Sequence, residues 1–309
     1  MNVYVYPTDH SWFNYLRARP HLDEINFWQP GGGHVFSRLQ PGDLFLFRLK
    51  SPANMITGGG VFTHASLYPV DLAWQAFGEK NGTESLSTLR SLIARYKHIP
   101  VTQLEADAKI GCIILQAPFF LPETEWIALP ADYHLNLVQG KRYDSGSGIA
   151  SALIHSVERA LISSQVPAIG EAKPTESLYG NPTLVKRRLG QGAFRVLVTD
   201  NYQRRCAVTG EKTLPVLQAA HIVPVSRGGQ HRSDNGLLLR SDLHTLFDLG
   251  YVTITPDHRF RVSPALREEY SNGRIYYEMN DREIRLPDST TDQPSREFLE
   301  WHHDTLFRT

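Results

Sequence analysis

Residues 205–250 read RCAVTGEKTLPVLQAAHIVPVSRGGQHRSDNGLLLRSDLHTLFDLG. Two short apolar runs flank a polar loop that contains glycines, and the stretch ends in a segment with helical apolar spacing. This pattern predicts a strand, a loop, a second short strand and a helix. His221 falls near the end of the first strand, Asn235 at the entry to the helix, and His244 within that helix.

The polar residues of this segment suit hydrolytic chemistry. A neutral imidazole such as that of His221 can take a proton from water near neutral pH. His244 and Asp248 are four residues apart, so a helix places them on one face, where they can hold one divalent ion. A metal ion opposite a general base suits phosphodiester hydrolysis, in which charge builds on the phosphoryl and leaving oxygens.

The order and spacing of these residues resemble the HNH (ββα-metal) endonuclease family. The matching positions are Ala220-His221-Ile222-x-Pro224, Gly228-Gly229, Asp234-Asn235, and His244 nine residues after Asn235. The resemblance implies a catalytic set of His221 as general base, Asn235 as the residue that orients it, and His244 as a metal ligand. It also implies a divalent metal cofactor, Mg²⁺ or Mn²⁺ with Zn²⁺ or Ni²⁺ as alternatives, held by His244 and Asp248.

Two departures from the family pattern affect the expected metal site. Many members carry an acidic residue or a histidine just before the catalytic histidine, where this chain has Ala220. Gln218 or Asp248 is therefore a further candidate ligand. Many members also carry two Cys-x-x-Cys zinc pairs, whereas here Cys206 has no partner, and we expect it to be a small buried residue. His231 lies outside the matched motif and is expected on the surface.

Basic residues surround the motif. Residues 181–274 carry a net charge of +6, although the whole chain carries 32 Lys+Arg and 32 Asp+Glu. This is a hint of a polyanionic partner. Arg227 and Arg240 are the candidate phosphate contacts, and Arg232 lies beside them. For each arginine, the alternative is a solvated face.

The first half of the chain predicts several strands with glycine turns and few helices, which favours a small barrel. The stretch Pro41-Gly42-Asp43-Leu44-Phe45-Leu46-Phe47, followed by Gly58-Gly59-Gly60-Val61-Phe62, resembles the PUA-like superfamily. The resemblance covers roughly residues 1–160, and several members bind a modified base. Trp28, Trp12 and Asp43 are the candidate residues of a modified-base pocket. Core packing is the alternative for the tryptophans, and a turn role is the alternative for Asp43.

The length of 309 residues suggests about two domains. We predict a PUA-like reader at 1–162, a Ser-, Pro- and Gly-rich linker at 163–183, and an HNH domain at 184–309, with an overall α+β fold class. Hydrophobic residues make up 41% of the chain, which excludes whole-chain disorder. Two cysteines exclude a disulfide scaffold, and neither a membrane segment nor a secretory signal is expected, so a cytoplasmic protein is the simplest reading.

A PUA-like reader joined to an HNH nuclease resembles modification-dependent restriction enzymes. The expected partner is double-stranded DNA that carries a modified base, with no membrane partner. One ββα-metal site cuts one strand, so a double-strand break requires a homodimer or two successive engagements. Two alternatives stay open. The first is a nuclease activated by a signal or protein at the N-terminal domain, and the second is a nucleic-acid sensor that does not cut.

Overall fold

The computed structural model describes residues 1–19, 21–105, 107–164 and 190–308. The chain divides into two compact units, Met1–Val185 and Lys186–Thr309. Each unit mixes helices with sheet, which confirms the predicted α+β class. The predicted linker, 163–183, lies outside the described residues except for its first two, which end a helix. No helix in the described ranges is both long and apolar enough to cross a membrane.

The N-terminal unit is built on a six-stranded sheet. Its strands are β1 (Val3–Thr8), β2 (Glu24–Gln29), β3 (Leu44–Leu49), β4 (Ile56–Pro69), β5 (Lys109–Phe120) and β6 (Lys141–Tyr143). They are hydrogen-bonded in the order β2-β5-β4-β3-β1-β6. β1 and β3 run parallel, and the other neighbouring pairs are antiparallel.

β3 shows how this sheet forms its core. Side chains alternate between the two faces of a strand. Phe45 and Phe47 belong to an aromatic cluster on one face, and Leu44 and Leu46 belong to an aliphatic cluster on the other. All four are at most 1% exposed. The strand is therefore buried on both faces, which explains its continuous apolar sequence.

Helices cover this sheet. They are α1 (His10–Arg17), α2 (Val70–Phe77), α3 (Leu86–Tyr96) and α4 (Gly148–Ser164). The sequence predicts a helical stretch from Ala73 to Tyr96 with a break near Gly82, and α2 and α3 are separated there. Gly82 has φ +78°, and a Cβ at this position would lie 2.2 Å from Cδ1 of Trp12. Only glycine fits this break without displacing the indole.

The C-terminal unit contains a hairpin followed directly by a helix. Its elements are α5 (Gln191–Asn201), β7 (Leu217–His221), β8 (Gly236–Arg240), α6 (Ser241–Asp248), β9 (Val252–Ile254), β10 (Phe260–Val262), α7 (Ala265–Tyr270), α8 (Arg274–Tyr277) and α9 (Arg296–Thr305). β7 pairs antiparallel with β8, and His221 lies opposite Gly236. Phe194, Leu243 and Phe247 pack beneath the hairpin in one core. Cys206 is fully buried in that core, as predicted.

Two local expectations are wrong. Asn235 does not begin the helix, because it ends the loop and precedes β8. The sequence from Ile275 to Leu286 also predicts a hairpin that turns near Asn280-Asp281, but these residues do not form one, because the first of them belong to helix α8. One helical turn lets Tyr277 donate a hydrogen bond to the carbonyl of Ser263 at 2.7 Å. If these residues formed a strand instead, the Tyr277 hydroxyl would not lie beside the Ser263 carbonyl.

Candidate active site

Two imidazoles form the centre of the C-terminal site. Nε2 of His221 lies 2.9 Å from Nδ1 of His231. The His221 ring stacks on Phe194 with centroids 3.9 Å apart and planes inclined by 10°. Within the described part of the chain, Nδ1 of His221 has no hydrogen-bond partner. The contact to His231 thus fixes the ring and leaves one nitrogen free to accept a proton.

The surroundings keep His221 uncharged. Burial, with smaller contributions from His231 and His244, lowers the pKa of His221 from 6.5 to about 4. Burial against Phe194 removes water from the charged form, and neighbouring imidazoles disfavour a second positive charge. A neutral imidazole at physiological pH is the protonation state that a general base requires.

His231 is a further residue of this site that no sequence pattern singles out. It was expected on the surface, but it is half-buried and contacts the predicted base. The sequence signal was weak, because His231 lies in a polar loop with no periodic pattern around it. The preceding Gly228-Gly229 pair is the sequence feature that could have indicated this contact, because a turn there returns the loop towards the end of β7.

The loop between the strands is held by Asn235, which is fully buried. Its Oδ1 accepts a hydrogen bond from Val223 N at 2.9 Å, and its Nδ2 donates to the carbonyls of Val223 and Gln230 at 3.0 Å each. The amide therefore ties both ends of the loop that carries His231. A Cβ at Gly229 would lie 1.8 Å from the Val223 carbonyl oxygen, so the turn also requires glycine there.

His244 and Asp248 lie together on α6, as their spacing predicts. Nε2 of His244 is 3.3 Å from Oδ2 of Asp248, and Nδ1 is 2.7 Å from Oε1 of Gln218. An amide oxygen only accepts hydrogen bonds, so Nδ1 donates to Gln218 and Nε2 is the ring nitrogen that faces the carboxylate.

The donor chemistry of this pair fits a divalent metal. Metal-binding histidines commonly donate their second ring N–H to an oxygen, as His244 does to Gln218. Within the described residues, no group of three or more His, Cys, Asp or Glu is placed to hold a metal ion. By their position in the cleft, His244 and Asp248 could supply two protein ligands. Ala220, at the position where many family members carry a ligand, is buried in the core.

These side chains share one cleft of about 530 Å³. Its lining includes Gln218, His221, His231, His244 and Asp248, and α5 contributes Gln191, Phe194 and Arg195. The structure thus brings together all predicted residues of the hydrolytic site except Asn235, which acts from beneath the loop.

The predicted phosphate contacts differ in their environment. Arg227 is exposed beside the Gly228-Gly229 turn. Arg240 instead forms two hydrogen bonds with the carboxylate of Asp242, at 2.6 and 2.8 Å. Arg232 is similarly held by the buried Asp234. Of the three, Arg227 is the one whose position leaves it available to a phosphate.

Two of the three residues predicted for the N-terminal pocket lie around the same cavity. Trp12 and Trp28 line one cavity of about 720 Å³. Asp43 is not among its lining residues. The Asp43 carboxylate accepts hydrogen bonds from the backbone and side-chain amides of Asn2 and from Gln40 N, at 2.8 to 2.9 Å. These bonds are those of a turn-forming residue.

Comparison with known proteins adds family information for the C-terminal unit. Residues 206–255 match the HNH endonuclease family. A search of curated proteins finds no match.

A comparison with solved structures also returns matches. The modification dependent TagI restriction endonuclease is 15% identical, covers 92% of this chain and 75% of its own, and has a TM-score of 0.29. ASCH from Zymomonas mobilis is 10% identical, covers 52% of this chain and 94% of its own, and has a TM-score of 0.34. A single-residue mutant of that protein is 11% identical, covers 50% and 96% of the two chains, and has a TM-score of 0.35.

The family match spans strand β7, which ends in His221, the loop tied by Asn235, and helix α6, which carries His244 and Asp248. The C-terminal unit of this chain therefore carries an HNH endonuclease domain, and the protein is a nuclease.

Proposed function

We propose that the protein is a metal-dependent endonuclease that cuts double-stranded DNA carrying a modified base. The proposed nuclease activity rests on one observation: the neutral, oriented imidazole of His221 lies in a cleft with His244 and Asp248. The aromatic cavity of the N-terminal unit supports the modified-base half.

The proposed hydrolysis begins at His221. Its free Nδ1 accepts a proton from a water molecule, whose oxygen bonds to phosphorus while the bond from phosphorus to the leaving oxygen breaks. His231 holds Nε2 of the base. The leaving oxygen takes up a proton from solvent and His221 returns its proton to solvent, so the charge on His221 is transient. Asn235 acts through the loop as a positioning residue.

His244 and Asp248 would hold a divalent metal, with Gln218 orienting the imidazole of His244. When bound, the metal supplies positive charge that stabilises the phosphoryl and leaving oxygens. Arg227 is the proposed contact to a flanking phosphate. Mg²⁺ and Mn²⁺ are the proposed ions, because a carboxylate with open positions for water and phosphate suits them.

The N-terminal unit is proposed to capture a base flipped out of the duplex. Trp12 and Trp28 line a cavity whose volume is typical of small-molecule sites. An extruded base presents two aromatic faces and one polar edge to such a cavity. Asp43 has no part in this proposal, because its carboxylate is occupied by the turn.

The test is a cleavage assay with Mg²⁺ or Mn²⁺ that compares the wild type with His221→Ala. Matched duplexes carry unmodified cytosine, methylcytosine, hydroxymethylcytosine, its glucosylated form, or phosphorothioate linkages. At limiting enzyme we expect preferential cleavage of modified duplexes and its loss in the variant. Equal cleavage of all duplexes would retain the nuclease and reject the modified-base reader. Absence of cleavage under all conditions would favour a nuclease that needs an activator or a sensor that does not cut.

A further inference from the structure

The cavity of the N-terminal unit contains a buried positive charge. Arg48 lies on β3, lines the cavity and is 5% exposed. Its Nη2 donates a hydrogen bond to Oδ1 of Asn54 at 2.8 Å, and its Cζ lies 5.7 Å from the Tyr133 ring centroid. Its Nε is buried without a hydrogen-bond partner. In the described ranges, no carboxylate forms an ion pair with this guanidinium.

An arginine in this state is unusual in a folded protein. Buried charges are normally paired, because removal from water costs more than a neutral hydrogen bond restores. Asn54 offers a neutral oxygen to one nitrogen, and the ring of Tyr133 offers only a weak electrostatic contact at that distance. The donors of Arg48 are thus incompletely satisfied beside an open cavity.

Several other polar groups of the cavity are satisfied by one another, although the indole N–H of Trp12 is buried without a partner. Asp9 accepts a hydrogen bond from Lys50 Nζ at 2.6 Å and another from the hydroxyl of Tyr96. Gln29 donates to the hydroxyl of Tyr6 at 2.8 Å. The charges of Asp9 and Lys50 therefore compensate each other, and Arg48 gives the lining an excess of one positive charge.

We infer that the cavity binds a planar ring with an oxyanion attached, and that Arg48 receives this oxyanion. The planar guanidinium can offer two parallel N–H groups to a carboxylate or phosphate. The neighbouring rings of Trp12, Phe27 and Trp28 suit the aromatic part of the ligand. This inference rests on the proposed base-reading function and specifies its ligand class. The oxyanion has two sources, a carboxyl substituent on the base or the phosphate of the extruded nucleotide.

The test measures binding by the full chain, without divalent metal and at fixed salt. The duplexes carry one unmodified, 5-methyl- or 5-carboxyl-cytosine, and cytidine 5′-monophosphate and 5-carboxylcytidine are titrated separately. If the base supplies the oxyanion, the carboxyl duplex binds on the order of tenfold more tightly than the methyl duplex. Arg48→Met removes that preference and Arg48→Lys retains part of it, whereas Arg142→Met, at an exposed arginine on β6, leaves it unchanged.

If the nucleotide phosphate is the source, the monophosphate binds in an Arg48-dependent manner and both modified duplexes weaken equally in Arg48→Met. Wild-type protein with no carboxyl preference and no measurable binding of the monophosphate overturns the inference, even if Arg48→Met does not fold. A preference for methylated over unmodified DNA in that case leaves the proposed function standing. If none of the duplexes is preferred over the unmodified one and neither small ligand binds, the base-reading function itself fails.

Discussion

At the residue scale, the chemistry depends on what surrounds His221. Phe194 covers one face of its ring, and His231 engages Nε2. Both contacts disfavour the imidazolium, which explains why the pKa of His221 falls to about 4. The base is therefore uncharged across the pH range in which an ordinary histidine titrates.

Removal of His231 should change both the rate of cleavage and its pH dependence. His231→Ala frees the His221 ring to rotate, so we expect kcat to fall on the order of tenfold to a hundredfold. It also exposes the ring and removes a neighbouring imidazole that disfavours the charged form, so the pKa of His221 should rise towards 6.5. A protonated base is inactive, so the acid limb of the rate profile should move to higher pH.

The measurement is kcat against pH for wild type, His231→Ala and His303→Ala. His303 is a partly exposed histidine on α9 that pairs with Asp304, away from the cleft, so its replacement should alter neither quantity. A rate loss in His231→Ala with an unmoved acid limb would show that His231 does not control the protonation of His221.

The residue-level predictions from sequence succeeded where spacing alone determines proximity. His244 and Asp248 are one helical turn apart, so any helix brings them together. His231 could not be placed in this way, because its contact with His221 depends on the path of a loop. The role of Asn235 was implied by the family pattern, but its three side-chain hydrogen bonds depend on full burial.

At the element scale, the loop from Ile222 to Asp234 depends on Asn235. Asn235→Ala leaves Val223 N–H and two carbonyl groups without side-chain partners in a buried position. We expect the C-terminal unit to lose on the order of 3 kcal/mol of unfolding free energy. Amide hydrogen exchange in the loop should accelerate more than exchange in β7 and β8.

Ser226→Ala is the matched control for this loop. Ser226 is exposed in the same segment, so the variant should exchange like the wild type. Equal acceleration across the loop and both strands in Asn235→Ala would indicate global destabilisation. It would contradict the prediction that Asn235 stabilises the loop locally.

Helix α9 docks through a buried histidine. Nδ1 of His302 lies 2.9 Å from Oγ1 of Thr253, Nε2 lies 3.0 Å from the carbonyl oxygen of Phe247, and the ring stacks on Phe247. Burial lowers the pKa of His302 from 6.5 to about 4. The unfolded chain thus binds a proton more readily than the folded unit between these two values.

This docking predicts loss of stability in acid. The contribution of neutral His302 is fully present above pH 6.5 and disappears as the pH falls to about 4, at a cost on the order of 3 kcal/mol. Hydrogen exchange of residues 296–305 should accelerate across this pH window after correction for intrinsic rates. His302→Phe should weaken the pH dependence, and His303→Ala, which removes only the smallest cause of the lowered pKa, should retain most of it. An unchanged pH dependence in His302→Phe would assign the effect to other groups.

Elements were predictable where apolar spacing was regular. β3 and α6 form where their sequence patterns predict them. In each segment the apolar residues are spaced so that only one arrangement buries them. The predicted hairpin from Ile275 to Leu286 failed because its aromatic residues fit a strand or a single helical turn equally well. The contact between Tyr277 and Ser263 selects the helix, and that contact joins residues 14 apart in sequence.

At the scale of the whole molecule, each unit contains its own core and its own cavity. The aromatic cluster around β3 belongs to the first unit, and the cluster beneath the hairpin belongs to the second. The candidate base pocket and the hydrolytic cleft are lined by separate residues. Recognition and cleavage should therefore be separable by single substitutions.

Trp28→Ala should impair the binding preference and spare cleavage, whereas His221→Ala should impair cleavage and spare the binding preference. Trp28 lines the N-terminal cavity and contacts Tyr96, so its loss should remove on the order of tenfold or more of the binding preference for modified over unmodified duplex. Metal-dependent nicking of unmodified DNA at high enzyme concentration should persist in this variant. His221→Ala should retain the binding preference while cleavage falls at least about a hundredfold.

Trp74→Ala controls for the loss of a partly buried indole, because Trp74 lies on α2 outside the lining of the cavity. It should leave both the preference and the cleavage rate unchanged. Binding is measured by anisotropy without metal, and cleavage is measured in single-turnover reactions with Mn²⁺. If Trp28→Ala removes nicking of unmodified DNA as well, recognition is a condition of catalysis rather than a separate step. Loss of the preference in His221→Ala would instead place base recognition in the nuclease cleft.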